Sequence, residues 1–287
     1  MRNDYQHINV DPIAGSLGAE IGNVDLAADN PDSLYAEIHR ALLENLVIFF
    51  RDQKITPEQQ LAFARRWGDL RRHPFMKGMD DYPDMLEIKK LPTDKRNFGG
   101  GWHSDQMFAP APAMGTILYA KQTPPAGGDT LFANMYDAYE ALSDGMKMMI
   151  GNLKAVSSGD NFKSAGGKSR KEVSGDNKSM TVVDPPKEAK TINAHPVVRT
   201  HPETGRKALY TGGHWRHFEG MTEAESEPLM AFLREHSTRP EFTCRFRWQP
   251  GSIAFWDNRC TQHFAIDDYP AETRIMHRIT VCGDVPF

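Results

Sequence analysis

Apolar and polar positions fall into three textures along the chain. Over the first 30 residues, short apolar pairs alternate with Gly, Pro and Asp, as in HINVDPIAGSLGAEIGNVDL. That pattern predicts short strands joined by tight turns. From Pro31 to Asn45, Leu and Ala recur at helical spacing in PDSLYAEIHRALLEN, with Asp32 and Ser33 placed to cap a helix. LVIFF at 46–50 is an unbroken apolar, β-branched and aromatic run, which predicts a strand buried on both faces. A second helix is expected over ITPEQQLAFARRWG, where Thr56 caps, Pro57 takes the first helical position and Gly68 ends the element.

The middle of the chain predicts strands at GTILYA (115–120) and DTLFANM (129–135), with the turn-rich KQTPPAGG between them. MYDAYEALSDGMKMMIGNL follows as a helix or helix pair. From Ser157 to Thr191 the sequence turns polar and rich in Gly, Ser and Lys. A stretch of this length inside a compact domain is a lid, a binding loop or a solvated insertion. Order returns with a hairpin in HPVVRTHPETGRKALY and an amphipathic helix in TEAESEPLMAFLREHS, capped by Thr222 with Glu225 three residues on. Two alternating strands flank Pro250-Gly251, and RIMHRITVCGD supplies a last one. Many short strands with few helices and no βαβ rhythm predict a mainly β barrel or double-sheet core with helical decoration. No linker divides the chain, so residues 1–287 are expected to form one domain, and no internal repeat suggests a solenoid.

Composition narrows the classes of function. The chain has 287 residues, 39% of them hydrophobic and 25% charged, with Lys+Arg 34 against Asp+Glu 38 and a net charge of -4. No basic excess points to nucleic acid or to an anionic membrane. No apolar run reaches the roughly 20 residues of a membrane helix. The N-terminus lacks the apolar core of a secretory signal. Three scattered cysteines (Cys244, Cys260, Cys282) match no zinc spacing and read as reduced, buried fillers, so a cytoplasmic protein is expected.

The chemistry is concentrated in FGGGWHSDQMF, residues 98–108. His103 and Asp105 form an H-x-D pair, and on a strand these two side chains share a face. An imidazole beside a carboxylate is two-thirds of the two-His, one-carboxylate set that binds Fe(II). Taken alone, H-x-D is better read as a surface pair. The chain has 11 histidines to supply a third ligand. His263, in FWDNRCTQHFAIDDY, stands out because it follows an apolar strand. His214 and His217, three apart in GGHWRHFEG, read better as a loop lining a pocket. His195 and His201 precede prolines and shape turns, and His236 suits the dipole at a helix end. Arg274 and Arg278 are four apart in a predicted strand. They either share one cavity, where anions must meet them, or lie solvated on its surface.

H-x-D, a distant His and an Arg further on together resemble the taurine dioxygenase / 2,4-dichlorophenoxyacetate dioxygenase family of Fe(II)- and 2-oxoglutarate-dependent oxygenases. The resemblance runs through LGAEIGNVDL, LVIFFRDQ, WHSD, PPAGGDTLFANM and HPVVRTHPETGRKALY to the closing WDNRCTQHFAIDDY and RIMHRITVCGDVPF. It implies a double-stranded β-helix, or jelly roll. It also implies that His103, Asp105 and His263 ligate Fe(II), that Arg274 and Thr130 hold the distal carboxylate of 2-oxoglutarate, and that O2 is the other co-substrate. The implied reaction decarboxylates 2-oxoglutarate to succinate and CO2 while a substrate C–H is hydroxylated. Asp105 favours hydroxylation, because related halogenases lack the carboxylate. A homo-oligomer, dimer or tetramer, is a further implication.

For the prime substrate the resemblance implies a small anionic organic molecule, of sulfonate, alkyl sulfate or aryloxyalkanoate type. Arg278 and His73 match the family's positions for the anionic head group, and Gly99 and Gln106 belong to the same implied pocket. Gly99 stands where taurine enzymes carry an asparagine, and Met76 where they carry a tyrosine. Both changes remove hydrogen-bonding groups, so a larger or more apolar anion than taurine is expected. The segment 157–191 corresponds to a variable loop over the pocket and is expected to act as a lid, with Phe162 or Met180 near the substrate. Two other readings of the ligand set are a metal-dependent hydrolase and a noncatalytic jelly-roll binding protein.

Overall fold

The run LVIFF becomes β3 (Val47–Phe50), buried at every position. Its side chains alternate between two different cores, which is why no polar residue interrupts it. Val47 and Phe49 belong to one apolar cluster, Ile48 and Phe50 to the other. In a computed structural model that describes residues 5–159 and 179–287, β3 lies in a seven-stranded sheet. The strands of this major sheet are β1 (Asn9–Pro12), β2 (Ala19–Gly22), β3, β4 (Met85–Lys90), β5 (Ala113–Gln122), β13 (Ile253–Asp257) and β15 (Arg274–Cys282), in the order β1-β2-β3-β13-β5-β15-β4.

One face of the major sheet packs against helices α1 (Asp32–Asn45) and α2 (Pro57–Arg65). The other face packs against smaller antiparallel sheets. β6 (Thr130–Asn134) lies between β12 (Thr243–Phe246) and β14 (Thr261–Ala265). β7 (Lys154–Ser158) lies between β8 (Ile192–Pro196) and β11 (Trp215–Phe218). β9 (Val198–Thr200) and β10 (Lys207–Leu209) form the expected hairpin. A major sheet that is antiparallel except at the β2–β3 pair, faced by smaller antiparallel sheets and with helices outside, is the jelly-roll architecture that the resemblance implies.

Local chemistry explains most boundaries. Thr56 caps α2 in a reciprocal capping box with Gln59, and Thr222 does the same with Glu225 for α5 (Glu223–Ser237). The predicted helix pair appears as α3 (Met135–Glu140) and α4 (Asp144–Ile150). Other expectations need correction. α1 begins after Pro31 with no side-chain cap, so Asp32 does not cap it; it places a charge in the first turn and pairs with Arg66. β12 and β13 both form on either side of Pro250-Gly251 as expected, but in different sheets, so the turn crosses between layers. β13 is also buried throughout instead of alternating. His236 is buried and hydrogen-bonds Ala138 O at 2.8 Å, joining α5 to α3 instead of serving the helix dipole. Cys282 is only partly buried. Among the described residues, no helix is long and apolar enough to cross a membrane.

The two layers are joined by aromatic packing. Phe49 of the major sheet stacks on Phe246 of β12, with ring centroids 3.9 Å apart and planes 8° from parallel, and meets Phe132 of β6 edge-on at 5.6 Å. Phe49→Ala removes this contact from a fully buried site and is expected to cost about 3–5 kcal/mol. Urea unfolding checks this, and a loss below about 1 kcal/mol would show that other contacts hold the layers together.

Candidate active site

The inter-sheet face of β15 carries Arg274, Met276 and Arg278, since alternate residues share a side and Met276 lies in the core between the sheets. Both arginines are buried, at 4% and 5% exposure. They are therefore not the solvated pair that the pattern also allowed. His263 lies within β14, paired with Phe132 of β6, and not in a break after a strand. Its ring packs against Trp256 at 4.7 Å.

His103 joins β14 by a single antiparallel bridge to His263, with N–O distances of 3.1 and 2.8 Å. The same-face argument for H-x-D fails, because Asp105 is not in a strand. It sits in the turn after the bridge, where Gln106 takes a positive φ of 53°. The turn still brings the carboxylate back to the histidines. Asp105 Oδ1 lies 3.7 Å from His103 Nε2 and 3.8 Å from His263 Nε2, and the candidate ligand atoms of the three residues lie within 4.8 Å of one another.

The donor set suits a divalent metal. His103 Nδ1 is 2.7 Å from Gly101 O, a carbonyl that can only accept, so Nδ1 carries the proton and Nε2 keeps its lone pair. Burial, followed by neighbouring His103, pushes the pKa of His263 well below the usual histidine range, which leaves it neutral and able to ligate. Burial alone would raise the pKa of Asp105. The Arg278 guanidinium, the two histidines and the Thr116 hydrogen bond together outweigh it, Arg278 contributing most among them, so the carboxyl stays ionised. Because His263 is neutral, Arg278 is the charge that matters; its Nη2 lies 2.7 Å from Asp105 Oδ1.

A second cluster, His201, Asp257 and Cys260, also has metal-like composition. Its atoms are committed elsewhere. His201 Nδ1 accepts from the backbone N–H of Glu203 and Thr204, its Nε2 faces Asp257 at 3.0 Å, and Arg259 pairs with both Asp257 and Glu203. This is an internal ion-pair network, and His201 does more than shape a turn.

Arg274 lies further along the same face as Arg278. Its Nε and Nη2 have no hydrogen-bond partner among the described residues, and burial lowers its pKa. A buried guanidinium with open donors is a receptor for a carboxylate. Thr130 Oγ1 accepts a 2.9 Å hydrogen bond from Trp248 Nε1, so its own proton is free to be donated. Arg274 also lies over the Trp248 ring at 5.7 Å. Gly128 closes this end with φ 70°, and a Cβ there would come within 3.3 Å of Arg274 Cδ.

His73, Met76 and Arg278 line a narrow cleft. Adjoining it is a cavity of about 820 Å³, whose described lining includes His73, Met76, Gln106, Phe108 and Lys190. Gln106 is 3% exposed, and its Nε2 has no hydrogen-bond partner among the described residues. Around the site, Phe98 lies 5.9 Å from His73, Phe75 lies 5.6 Å from Phe108, and Phe108 lies 5.2 Å from His214. A Cβ on Gly99, where φ is 84°, would sit 3.4 Å from His103 Cε1, so glycine keeps this side of the ring clear. His214 lies in a turn with its ring 6.2 Å from that of His103, whereas His217 belongs to β11.

Of the expected lid, only its ends are described. Residues 157–158 are in β7, and Val182 bridges Met76 beside the cavity. Phe162, Lys163, Lys168, Arg170, Lys171 and Lys178 lie outside the described residues. Thr116, Asn258, Trp248 and Phe108 were not legible as site residues. The one faint signal was a lone polar Thr116 within the apolar GTILYA.

Residues 9–280 match the sequence pattern of the family described as "Taurine catabolism dioxygenase TauD, TfdA family". The chain belongs to this family. It is a 2-oxoglutarate-dependent dioxygenase. The chain is 35% identical to an alpha-ketoglutarate-dependent sulfate ester dioxygenase of Pseudomonas putida, over 97% of this chain and 91% of that protein. It is 33% identical to an (S)-phenoxypropionate/alpha-ketoglutarate-dioxygenase of Sphingobium herbicidovorans, over 96% of this chain and 95% of that one. The crystal structure of a taurine dioxygenase from Burkholderia xenovorans superposes with a TM-score of 0.81 at 35% identity, covering 98% of this chain and 91% of that one.

Asp105→Ala removes both a ligand atom and its charge. It is expected to weaken Mn(II) or Co(II) binding by more than about 100-fold, beyond the loss typical of a supporting residue. Titration calorimetry measures this, and near-normal metal affinity in the variant would show that the three residues are not the ligand set.

Proposed function

We propose that the enzyme hydroxylates an anionic organic substrate with an apolar body, such as an alkyl sulfate or aryloxyalkanoate, at Fe(II) held by His103, Asp105 and His263. The observation that carries this reading is the pair of buried arginines on one face of β15, both with an Nε that makes no hydrogen bond among the described residues, Arg278 also ion-paired with the Asp105 carboxylate. Arg274, assisted by the Thr130 hydroxyl, receives the distal carboxylate of 2-oxoglutarate in a charge-assisted contact. Fe(II) supplies the O2 chemistry that splits 2-oxoglutarate into succinate and CO2 and delivers one oxygen atom to the substrate.

The remaining work belongs to the protein. Arg278 and His73 of the cleft, with the Gln106 amide of the adjoining cavity, meet the anionic head of the substrate, which orients the molecule before reaction. Phe75, Phe98 and Phe108 supply an apolar wall for its body. Gly99 and Met76 contribute no hydrogen bonds, which disfavours a small amine-bearing sulfonate. Exclusion of water by this wall protects the reacting centre from unproductive turnover. The relatives acting on a sulfate ester and on a phenoxypropionate support this substrate class.

The experiment is a screen of alkyl sulfates, aryloxyalkanoates and taurine for substrate-dependent succinate release under air. Release with the apolar anions and little with taurine is expected. Product formation without consumption of 2-oxoglutarate would overturn the reading in favour of hydrolysis. Arg274→Ala is expected to raise the KM for 2-oxoglutarate by about 30-fold or more, the equivalent of the roughly 2 kcal/mol lower bound for losing a buried charge pair. The KM for the prime substrate should change little. A rise confined to the prime substrate would exchange the roles of Arg274 and Arg278.

A further inference from the structure

The two oxygens of Asp105 have different surroundings. Oδ1 faces the two histidine nitrogens and Arg278. Oδ2 turns towards the major sheet and accepts a 2.6 Å hydrogen bond from Thr116 Oγ1 of β5. The direction of this bond is fixed by the groups behind it. Asn258 Oδ1 receives two groups that can only donate, the Asp105 backbone N–H at 3.2 Å and Trp256 Nε1 at 3.0 Å. The other end of the Asn258 amide, Nδ2, must therefore be the one that faces Thr116 Oγ1, at 3.0 Å. Thr116 accepts there, and its single proton is left for Asp105.

The relay is also rigid. Thr116 is 0% and Asn258 1% exposed. Ser104, next to Asp105, donates to Asn258 O at 2.6 Å and to Thr261 O at 2.9 Å, and Asn258 N donates to Met114 O at 2.8 Å. Asn258 thus grips the Asp105 turn through both its side chain and its main chain.

We propose that Thr116 and Asn258 are positioning residues that make Asp105 a one-oxygen ligand. With Oδ2 held by the Thr116 proton, only Oδ1 is presented to the metal. A carboxylate binding through both oxygens would occupy a coordination position that the co-substrate and O2 need. This inference rests on the proposed His103, Asp105 and His263 ligand set.

The test replaces Thr116 by valine, which keeps the shape and removes the hydroxyl, and by serine, which restores it. Protein labelled with 13C at the aspartate carboxyl is titrated with Mn(II), and the infrared difference spectrum reports how far apart the two carboxylate stretches lie. The separation is wide for one-oxygen and narrow for two-oxygen binding. Wild type and Thr116→Ser are expected to give the wide separation and Thr116→Val the narrow one. In parallel, the metal affinity of Thr116→Val should be retained, while the Kd of the Mn(II)-loaded variant for 2-oxoglutarate rises by about tenfold or more. A wide separation in Thr116→Val, or equal losses of metal and 2-oxoglutarate affinity, overturns the proposal. If Thr116→Val does not fold, Thr116→Ala is measured against the same two outcomes. Failure of the wild-type protein to bind Mn(II) through a labelled aspartate would instead sink the ligand set itself.

Discussion

Everything around the site follows from placing one ionised carboxylate, Asp105, in the dry interface between two sheets. A buried charge is tolerated only when it is paired and fully hydrogen-bonded. Here the major sheet supplies both compensations, a guanidinium from β15 and a hydroxyl from β5. The minor sheet supplies His263 directly and His103 through the backbone bridge. The donor set therefore exists only if both layers are present and correctly spaced. Stacking of Phe49 on Phe246 sets that spacing, so aromatic packing remote from the chemistry helps determine whether the ligands can converge.

The turn 257–261 carries a second buried ionic network. Asp257 is held by His201 and Arg259, and Arg259 also pairs with Glu203. Its immediate neighbour, Asn258, orients the Asp105 turn. One short loop thus anchors itself to the rest of the molecule through one residue and holds the turn of the candidate ligand Asp105 through the next. The arrangement spends buried charge on geometry, which fits a site whose ligands must be held to within fractions of an ångström. The major sheet's other face shows the contrast: against α1 and α2 it is almost wholly apolar. Among the described residues the few buried polar groups on that side, such as Gln60 and His277, carry no cluster of ligand atoms.

How much of this could be read from the sequence depends on the range of each interaction. Capping boxes at Thr56 and Thr222 are local, and both appear where the sequence predicts them. Likewise the continuous LVIFF run signals burial on both faces, because each successive side chain meets a different apolar layer. The resemblance pointed to His103, Asp105, His263, Arg274 and Arg278 because those residue types recur at characteristic separations. The strand geometry expected for H-x-D nevertheless does not form. A turn, not a strand, returns Asp105 to the histidines.

By itself, then, the sequence determined the mainly β, helix-decorated fold class, the caps, the identity of the converging residues and the membership of an oxygenase family. These depend on side-chain type, periodicity and short-range hydrogen bonding. Tertiary structure alone decided which sheet each strand joins, so β12 and β13 separate despite being neighbours in sequence. It also decided that Arg274 and Arg278 are buried on one face with Arg278 beside Asp105, and that Thr116, Trp248 and Asn258 gather around them. Thr116 and Asn258 meet 142 positions apart, and Trp248 reaches Thr130 across 118. No local pattern encodes such a pairing, because the two groups are neighbours only after both sheets have closed on one core.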